Sequence, residues 1–484
     1  MLTSFLIRLY HYGRGMTQNS IVGAGRSGVA AKTVLAVACV AQFMVVLDIS
    51  VVNVALPSIR DALRFDEASQ QWVVNAYALT FAGFLLLGGR LADSFGHRRI
   101  FLIGLVLFAG ASLVGGLAGS ATLLVAARAA QGLGAAVLAP ATLTILTASF
   151  PEGRVRTQAL AVWTAVGVAG GTAGNLAGGA LTEYLSWRWT LLINVPIGVV
   201  VAFLAVRHVV ADRPGAVRPR LDVTGAVLAT AGLGGLAFGI AEAADAGWSS
   251  PSAVAGLVIG SVLLAAFVAV EARWAVSPLI PLRLFTNRSV SVGNVAMLLA
   301  GACLNPMWFF LTLSMQNVLA YSPARTGLAF LPHTVVTVVV GALVTPWLMR
   351  HVDGRILIAA GSSLAAAGFW WQSHLTVQSS YLAGILGPAV VFSIGSGLLN
   401  TPITTAVTSG VPTSDAGAAS GLMNTTKQVG GALGLAALVT VATGSGTGPA
   451  AQIDAYNRAF SAIAVIMIAV AVVVLALPAQ RDRQ

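Results

Sequence analysis

The chain has 484 residues, of which 57% are hydrophobic and only 9% charged. A water-soluble globular protein carries about 25% charged residues, so this chain cannot clothe a water-facing surface and its apolar runs face a bilayer. The formal net charge is +11, but no basic stripe interleaved with aromatics accompanies it, which sets nucleic-acid binding aside.

A membrane-spanning helix needs ~20 mostly apolar residues. Fourteen such runs are expected, near 33–57, 70–91, 99–119, 121–149, 156–182, 188–207, 221–241, 252–272, 290–315, 323–349, 355–375, 380–403, 415–443 and 456–478. The runs are long and do not alternate, so they predict helices rather than barrel strands. Ahead of them, "MLTSFLIRLY" is too short for the apolar region and cleavage site of a signal peptide.

In the first run, "FMVVLDISVVNVALP" (43–57), Asp48 stands alone among apolar residues. Pro57 is the expected outer end of that helix, which puts Asp48 ~13 Å below the surface at 1.5 Å per residue. Arg128, in the fourth run, lies ~10 Å from the same surface. Charges at such depth demand a partner or a water-filled cavity. One reading is a structural ion pair or a carboxylate in a vestibule. The other is a carboxylate that takes up and releases protons, poised between apolar surroundings and an arginine.

"GGRLADSFGHRRIFLIG" (88–104) spans the end of the second run and the loop after it. Asp93 and Arg98 offer opposite charges at a helix end, and the plain reading is a terminus with ordinary cytoplasmic arginines. Farther on, the chain repeats itself. "GLGAAVLAPATLTILTASFPEGRVRTQALAVWTAVGVAGGTAG" (132–174) and "GSGLLNTPITTAVTSGVPTSDAGAASGLMNTTKQVGGALG" (395–434) share a Gly-x-Gly opening, a mid-helix proline (Pro140, Pro402) and a proline at the loop (Pro151, Pro412). Each ends in G-G-x-x-G, at Gly170, Gly171 and Gly174 and at Gly430, Gly431 and Gly434. Both copies run in the same sense, as in transporters built from two halves around a central site. The offset leaves room for two extra helices between six-helix halves. The expected organisation is a basic cytoplasmic tail (1–32), a six-helix bundle (33–210), two inserted helices with flanking cytoplasmic loops (211–289), a second six-helix bundle (290–478) and a short cytoplasmic tail (479–484). Small residues also let membrane helices pack closely, which is the plain account of the glycines.

Nineteen of the 27 Lys and Arg residues fall in the segments that are inside if the N-terminus is cytoplasmic. Both termini are therefore expected in the cytoplasm, with an even helix count. Arginine far outnumbers lysine and Ala, Gly and Val abound, the bias of a GC-rich bacterial genome. Cys39 and Cys303 sit in apolar runs and predict no disulfide. Lys427, beside Gln428 near mid-membrane, is read as a contact for an anionic substrate or a carboxylate, or as a tether between helices. His333, after Pro332, is read as a structural histidine. Asn75, Tyr77, Gln131, Asn305 and Asn400 are cavity candidates on polarity alone. No His-Glu-x-x-His pattern occurs, and neither lysine follows a glycine as a P-loop requires. No metal, cofactor or enzymatic reaction is expected, and an intramembrane enzyme or sensor stands as the remote alternative.

"GGRLADSFGHRR" resembles the loop signature between helices 2 and 3 of the major facilitator superfamily, matched at Gly89, Leu91, Asp93, Gly96, Arg98 and Arg99. "LDISVVNVALPSI" is similar to the first-helix motif of that superfamily's fourteen-helix drug/proton antiporters, and "RAAQGLGAA" (128–136) to its fourth-helix motif, with Arg128, Gln131 and Gly132 in place. The resemblance covers about residues 33–478. It implies an all-α fold of two six-helix bundles plus two inserted helices. It also implies proton coupling at Asp48 and Arg128, and a conformational switch at Gly89, Asp93, Gly96, Arg98 and Arg99. One departure stands out: Asn175 occupies the place of the proline expected in the fifth-helix antiporter motif, while Gly170, Gly174 and Gly178 keep its four-residue spacing. The function expected is proton-coupled export of an amphiphilic drug or antibiotic by a monomer in the bacterial cytoplasmic membrane. Uptake or facilitated diffusion of a metabolite is the alternative that the Asn175 departure keeps open.

Overall fold

The computed structural model describes residues 24–66, 69–151, 153–209, 221–275, 278–409, 411, 415–442 and 448–478. Most of the tails expected at 1–32 and 479–484, with Arg8, Arg14, Arg481 and Arg483, lie outside the described residues. Within them the chain is helical throughout, with no strand.

Six long helical units come first: α1 (Ala24–Leu63), α2 (Trp72–Phe95), α3 (His97–Gly116), α4 (Ala121–Ser149), α5 (Arg154–Tyr184) and α6 (Trp189–His208). Two more follow, α7 (Val223–Ala246) and α8 (Pro251–Arg273). The last six are α9 (Arg288–Val318), α10 (Pro323–Leu348), α11 (Gly354–Gln372), α12 (Tyr381–Thr408), α13 (Ala416–Ala442) and α14 (Pro449–Val473). Twelve of these fourteen are long and apolar enough to cross a membrane. The other two, α11 and α13, are 19 and 27 residues long, ~28 and ~40 Å at 1.5 Å per residue, but less apolar.

Local chemistry sets the helix ends. Ser120 accepts the Leu123 amide at the start of α4, Asp222 the Gly225 amide at α7, Ser250 the Ala253 amide at α8 and Ser322 the Arg325 amide at α10. Gly96, between α2 and α3, adopts φ 94°, a conformation that a side chain disfavours, which accounts for the glycine in the 88–104 loop. One expected boundary moves: α1 does not stop at Pro57 but continues to Leu63. Proline inside a helix forfeits one backbone hydrogen bond, and six further residues of packed helix absorb that loss.

The halves repeat their packing. α1 lies on α5 as α9 lies on α13, α3 on α4 as α11 on α12, and α3 on α6 as α11 on α14. The glycine stripes make the equivalence exact in kind. A Cβ on Gly170 would meet the Phe43 carbonyl oxygen at 2.9 Å, and one on Gly430 would collide with the Leu298 carbonyl oxygen. Backbones at that distance exclude any side chain. Between the halves, α5 crosses α10 and α13 crosses α2, while α7 packs on both α2 and α13.

One buried cluster joins the halves at the end where α1 finishes. Val52, Val54, Leu56, Ile59, Val73 and Leu124 join Met307, Phe310, Phe330, Leu435 and Leu438 in one buried cluster. Gln316 donates to the Val54 carbonyl at 2.8 Å, and Glu183 accepts the Ala324 amide at 2.8 Å, both across the halves at this same end. Toward the opposite end the first half has a separate cluster of its own residues, including Val37, Met44, Phe101, Phe108 and Ile145.

Candidate functional site

Asp48 and Arg128 meet. Arg128 Nη1 lies 2.6 Å from Asp48 Oδ2, and the two side chains are 2% and 0% exposed, Asp48 the more buried. The shift of the helix end from Pro57 to Leu63 does not separate them, because α1 and α4 pack side by side. A buried ion pair loses hydration at both charges and is tolerable only when the remaining hydrogen-bonding capacity is filled. Here it is. Asp48 Oδ1 accepts from Gln131 Nε2 at 2.6 Å and from Asn194 Nδ2 at 2.7 Å. Arg128 Nη1 also donates to Gln131 Oε1 at 2.6 Å, its Nε donates to the Val73 carbonyl at 2.9 Å, and its guanidinium lies 4.5 Å from the centre of the Tyr77 ring. Ser112 closes the ring by accepting from Gln131 at 2.7 Å and Asn194 at 3.3 Å while donating to the Phe108 carbonyl. Five helices thus contribute: α1, α2, α3, α4 and α6.

The cluster is nearly but not wholly satisfied. Asn194 Oδ1 and the Tyr77 hydroxyl are sealed from solvent with no partner. An acceptor left idle beside a carboxylate is significant, since an amide turned end for end presents its oxygen where its nitrogen was. Protonated Asp48 would then have an acceptor in Asn194.

The other candidates are dispersed. Asn75 is buried and donates to Gln71 Oε1 at 3.4 Å within its own helix. Asn305 sits at the bend of α9, its amide against Gly431. Asn400 donates to the Ser396 carbonyl one turn back and is half-buried. His333 Nδ1 lies 2.5 Å from Ser393 Oγ between Trp308 and Phe392, a position that fits a structural histidine. Lys427 is half-buried and makes no hydrogen bond or ion pair among the described residues. Cys39 and Cys303 are buried free thiols.

In the 88–104 stretch, Arg98 in the first turn of α3 donates to the Val206 carbonyl near the end of α6 at 2.6 Å, and Arg99 is exposed. The side chain of Asp93 lies outside the described residues. Gly89 faces Pro140 of α4, where an added Cβ would make only an ordinary contact at 3.8 Å. Gly170, Gly174 and Gly178 form the face of α5 that lies on Phe43, Leu47 and Val51 of α1, one turn apart each. Asn175 is on the neighbouring face, where its carbonyl oxygen abuts Gly327 of α10. An apolar cavity of about 180 Å³ lies between α2, α7, α8, α9 and α13, lined by Leu86, Leu233, Leu264, Leu298 and Val429 among others, away from the Asp48 cluster.

Two members of the cluster, Ser112 and Asn194, escaped the sequence reading. Asn194 did leave a mark, as the lone amide in the apolar run 188–207. Ser112 left none, because a serine in a membrane helix commonly bonds its own backbone.

Paired six-helix halves and a charge network sealed inside the membrane define a multi-pass membrane transporter rather than an enzyme. The chain belongs to the major facilitator superfamily, whose family model matches residues 38–435. It is 58% identical over 471 residues to the cephamycin export protein CmcT of Amycolatopsis lactamdurans, covering 95% of this chain and 96% of that protein. The puromycin resistance protein pur8 of Streptomyces alboniger is 40% identical over 455 residues, 92% of this chain and 89% of that protein. The lincomycin resistance protein of Streptomyces lincolnensis is 35% identical over 444 residues, 91% and 90% of the two chains. Among solved structures, the POT family transporter PepTSo superposes with a TM-score of 0.69 at 15% identity, over 92% of this chain and 97% of that one, a likeness of fold.

Proposed function

We propose that this protein exports an amphiphilic antibiotic of the cephamycin kind from a bacterial cell, in exchange for protons, across the cytoplasmic membrane. The single observation that carries the coupling is the Asp48–Arg128 pair at 2.6 Å with every donor around the carboxylate engaged. The substrate class rests on the 58% identity to a cephamycin exporter along nearly the whole of both chains.

The arginine distribution supports a cytoplasmic position for both termini, which turns the joined end of the bundle outward. In this state the outer path is shut between α1, α5, α9 and α10. Alternating access then requires the halves to part at Gln316–Val54 and Glu183–Ala324 and to close at the opposite end. Proton uptake at Asp48 removes the negative partner of Arg128. The freed guanidinium keeps its bonds to Val73 and Gln131, and Asn194 turns its oxygen to the new carboxylic O–H. The rearranged cluster shifts α1 and α4 relative to one another and so biases which end opens. Gly89, Asp93, Gly96, Arg98 and Arg99 act at the cytoplasmic end of that motion, with Arg98 joining the α2–α3 loop to the end of α6. The protein works as a monomer, since each chain holds both halves.

The test uses proteoliposomes with an acidic exterior, a cephamycin loaded inside, and wild type beside Asp48→Asn. Wild type is expected to release the antibiotic while admitting protons, and Asp48→Asn to bind it without using the gradient. A variant that exchanges as fast as wild type removes Asp48 from coupling. Antibiotic moving inward together with protons turns the reading to uptake.

A further inference from the structure

Lys427 has a place in the fold that its packing does not require. Along α13, Gly430 and Gly434 press on Leu298 and Ala302 of α9, as Gly170 and Gly174 press on Phe43 and Leu47 of α1. At the repeat offset of these glycines, the counterpart of Lys427 in α5 is Gly167. The same helix pairing is therefore made in the other half without a charge, and a tether is not what the fold needs.

Lys427 lies where α13 packs on α9, its backbone against Gly301, beside a row of polar side chains. Ser420, Asn424, Lys427 and Gln428 follow helical spacing and share one side of α13. Asn424 is exposed, and the other three are half-buried. Leu435 and Leu438, eight and eleven positions beyond Lys427, continue that side and lie in the buried cluster that joins the two halves. Lys427 thus lies two to three turns along α13 from the cluster that joins the halves. Its ammonium is not sealed from solvent and has no partner among the described residues. The apolar cavity of about 180 Å³ takes Leu422, Thr425, Thr426 and Val429 from the opposite side of the helix, so it does not account for the charge.

No carboxylate among the described residues answers it. In the second half the acidic residues are Asp353, Asp415 and Asp454. Asp353 caps α11, Asp415 pairs with Arg283 at 2.6 Å, and Asp454 belongs to the first turns of α14. In the first half Asp48 is already engaged by Arg128, Gln131 and Asn194. Among the described residues Lys427 is therefore a cation without a partner in the middle of a membrane helix, where an unpaired charge is costly.

We infer that Lys427 binds the anionic group, a carboxylate or its equivalent, of the exported amphiphile. The inference deepens the proposed export reading and rests on it for the word exported, while the anion site itself is testable by binding alone. In the resting protein water solvates the ammonium through the open path, and the substrate's anion replaces that water as the path closes. Substrate and proton then act on different halves, the anion at α13 and the proton at α1.

The experiment measures stabilisation against heat of purified wild type, Lys427→Gln and Lys427→Arg in phosphatidylcholine nanodiscs. Ligands are a cephamycin, benzylpenicillin and the methyl ester of each. Wild type is expected to bind the acids at least about tenfold more tightly than the esters, about 1.4 kcal/mol. Lys427→Gln is expected to lose that preference with its ester binding unchanged, and Lys427→Arg to keep most of it. Equal binding of acids and esters by wild type overturns the inference, as does a Lys427→Gln variant that still prefers acids. Preference for added phosphatidylglycerol over every acid assigns the lysine to a lipid headgroup and overturns it too. Cephamycin efflux from the corresponding proteoliposomes is read separately. Acid-selective binding with no efflux leaves the anion site standing and sinks export, whereas efflux with no acid preference does the reverse.

Discussion

Gly174 rests against Leu47 so closely that a Cβ there would lie 2.7 Å from the Leu47 carbonyl oxygen and 2.7 Å from Ser50 Cβ. Leu47 is the neighbour of Asp48 in α1, so the glycine face of α5 sets the position of the helix that carries the carboxylate. Alanine at 174 forces the two backbones apart, because a carbonyl oxygen cannot yield as a side-chain tip can. Gly174→Ala is expected to cost about 1–3 kcal/mol of stability and to slow exchange more than Gly171→Ala, whose Cβ would find only ordinary contacts at 3.7 and 3.8 Å. Thermal unfolding and efflux rates of the two variants decide it, and equal behaviour would show that the close approach does not matter.

Arg128 and Asp48 should be interdependent. Removing one member of a buried pair leaves a bare charge at a cost of about 3–5 kcal/mol, whereas removing both is often nearly neutral. Arg128→Gln alone is therefore expected to fold poorly. The double variant Asp48→Asn/Arg128→Gln should regain most of its thermal stability while remaining unable to couple efflux to a proton gradient. A double variant no more stable than Arg128→Gln alone would mean that the arginine's other contacts, to Val73 and Tyr77, carry its weight.

The sequence made the spans, the repeat and the Asp48–Arg128 partnership legible. Membrane solvation leaves long apolar runs, and a charge inside one has few places to go. Gln131 was visible as a polar residue but not as a ligand of Asp48, because polarity shows that a partner is needed without saying which. Asn305 and Asn400, chosen on the same ground, satisfy local packing and backbone instead. The joining of the halves at one end was not legible at all. It arises from packing between helices far apart in the chain, which the apolar pattern within a single run does not specify.

Gly327 and Asn175 report on that joining. A Cβ on Gly327 would collide with the Asn175 carbonyl oxygen, at the crossing of α10 on α5. Gly327→Val is expected to keep the joined end from shutting. In a variant with Val54→Cys added, a membrane-impermeant thiol reagent applied from outside should then label position 54 several times faster than in the Val54→Cys parent, in which Gln316 hydrogen-bonds the Val54 carbonyl. Unchanged labelling would mean that α5 and α10 do not gate this end.

Glu271 near the end of α8 ties the inserted pair to the second half. Its carboxylate is 5% exposed and accepts the amides of Leu279 and Ile280, each at 3.0 Å. Arg90 of α2 holds the adjacent Pro278 carbonyl, and Leu279 is buried against Leu87 and Ala226. The segment entering α9 is thereby clasped from two sides, by α8 and by α2. Truncating Glu271 leaves the buried Leu279 amide without its acceptor, at about 1–3 kcal/mol, and the half-buried Ile280 amide at less. Glu271→Ala is expected to speed protease cleavage between α8 and α9 and to lower efflux. Glu271→Gln, which retains one accepting oxygen, should fall between that variant and wild type, and Arg90→Ala should loosen the same segment with α8 intact. Cleavage and efflux unchanged in Glu271→Ala would show that burial of Leu279 alone secures the connection.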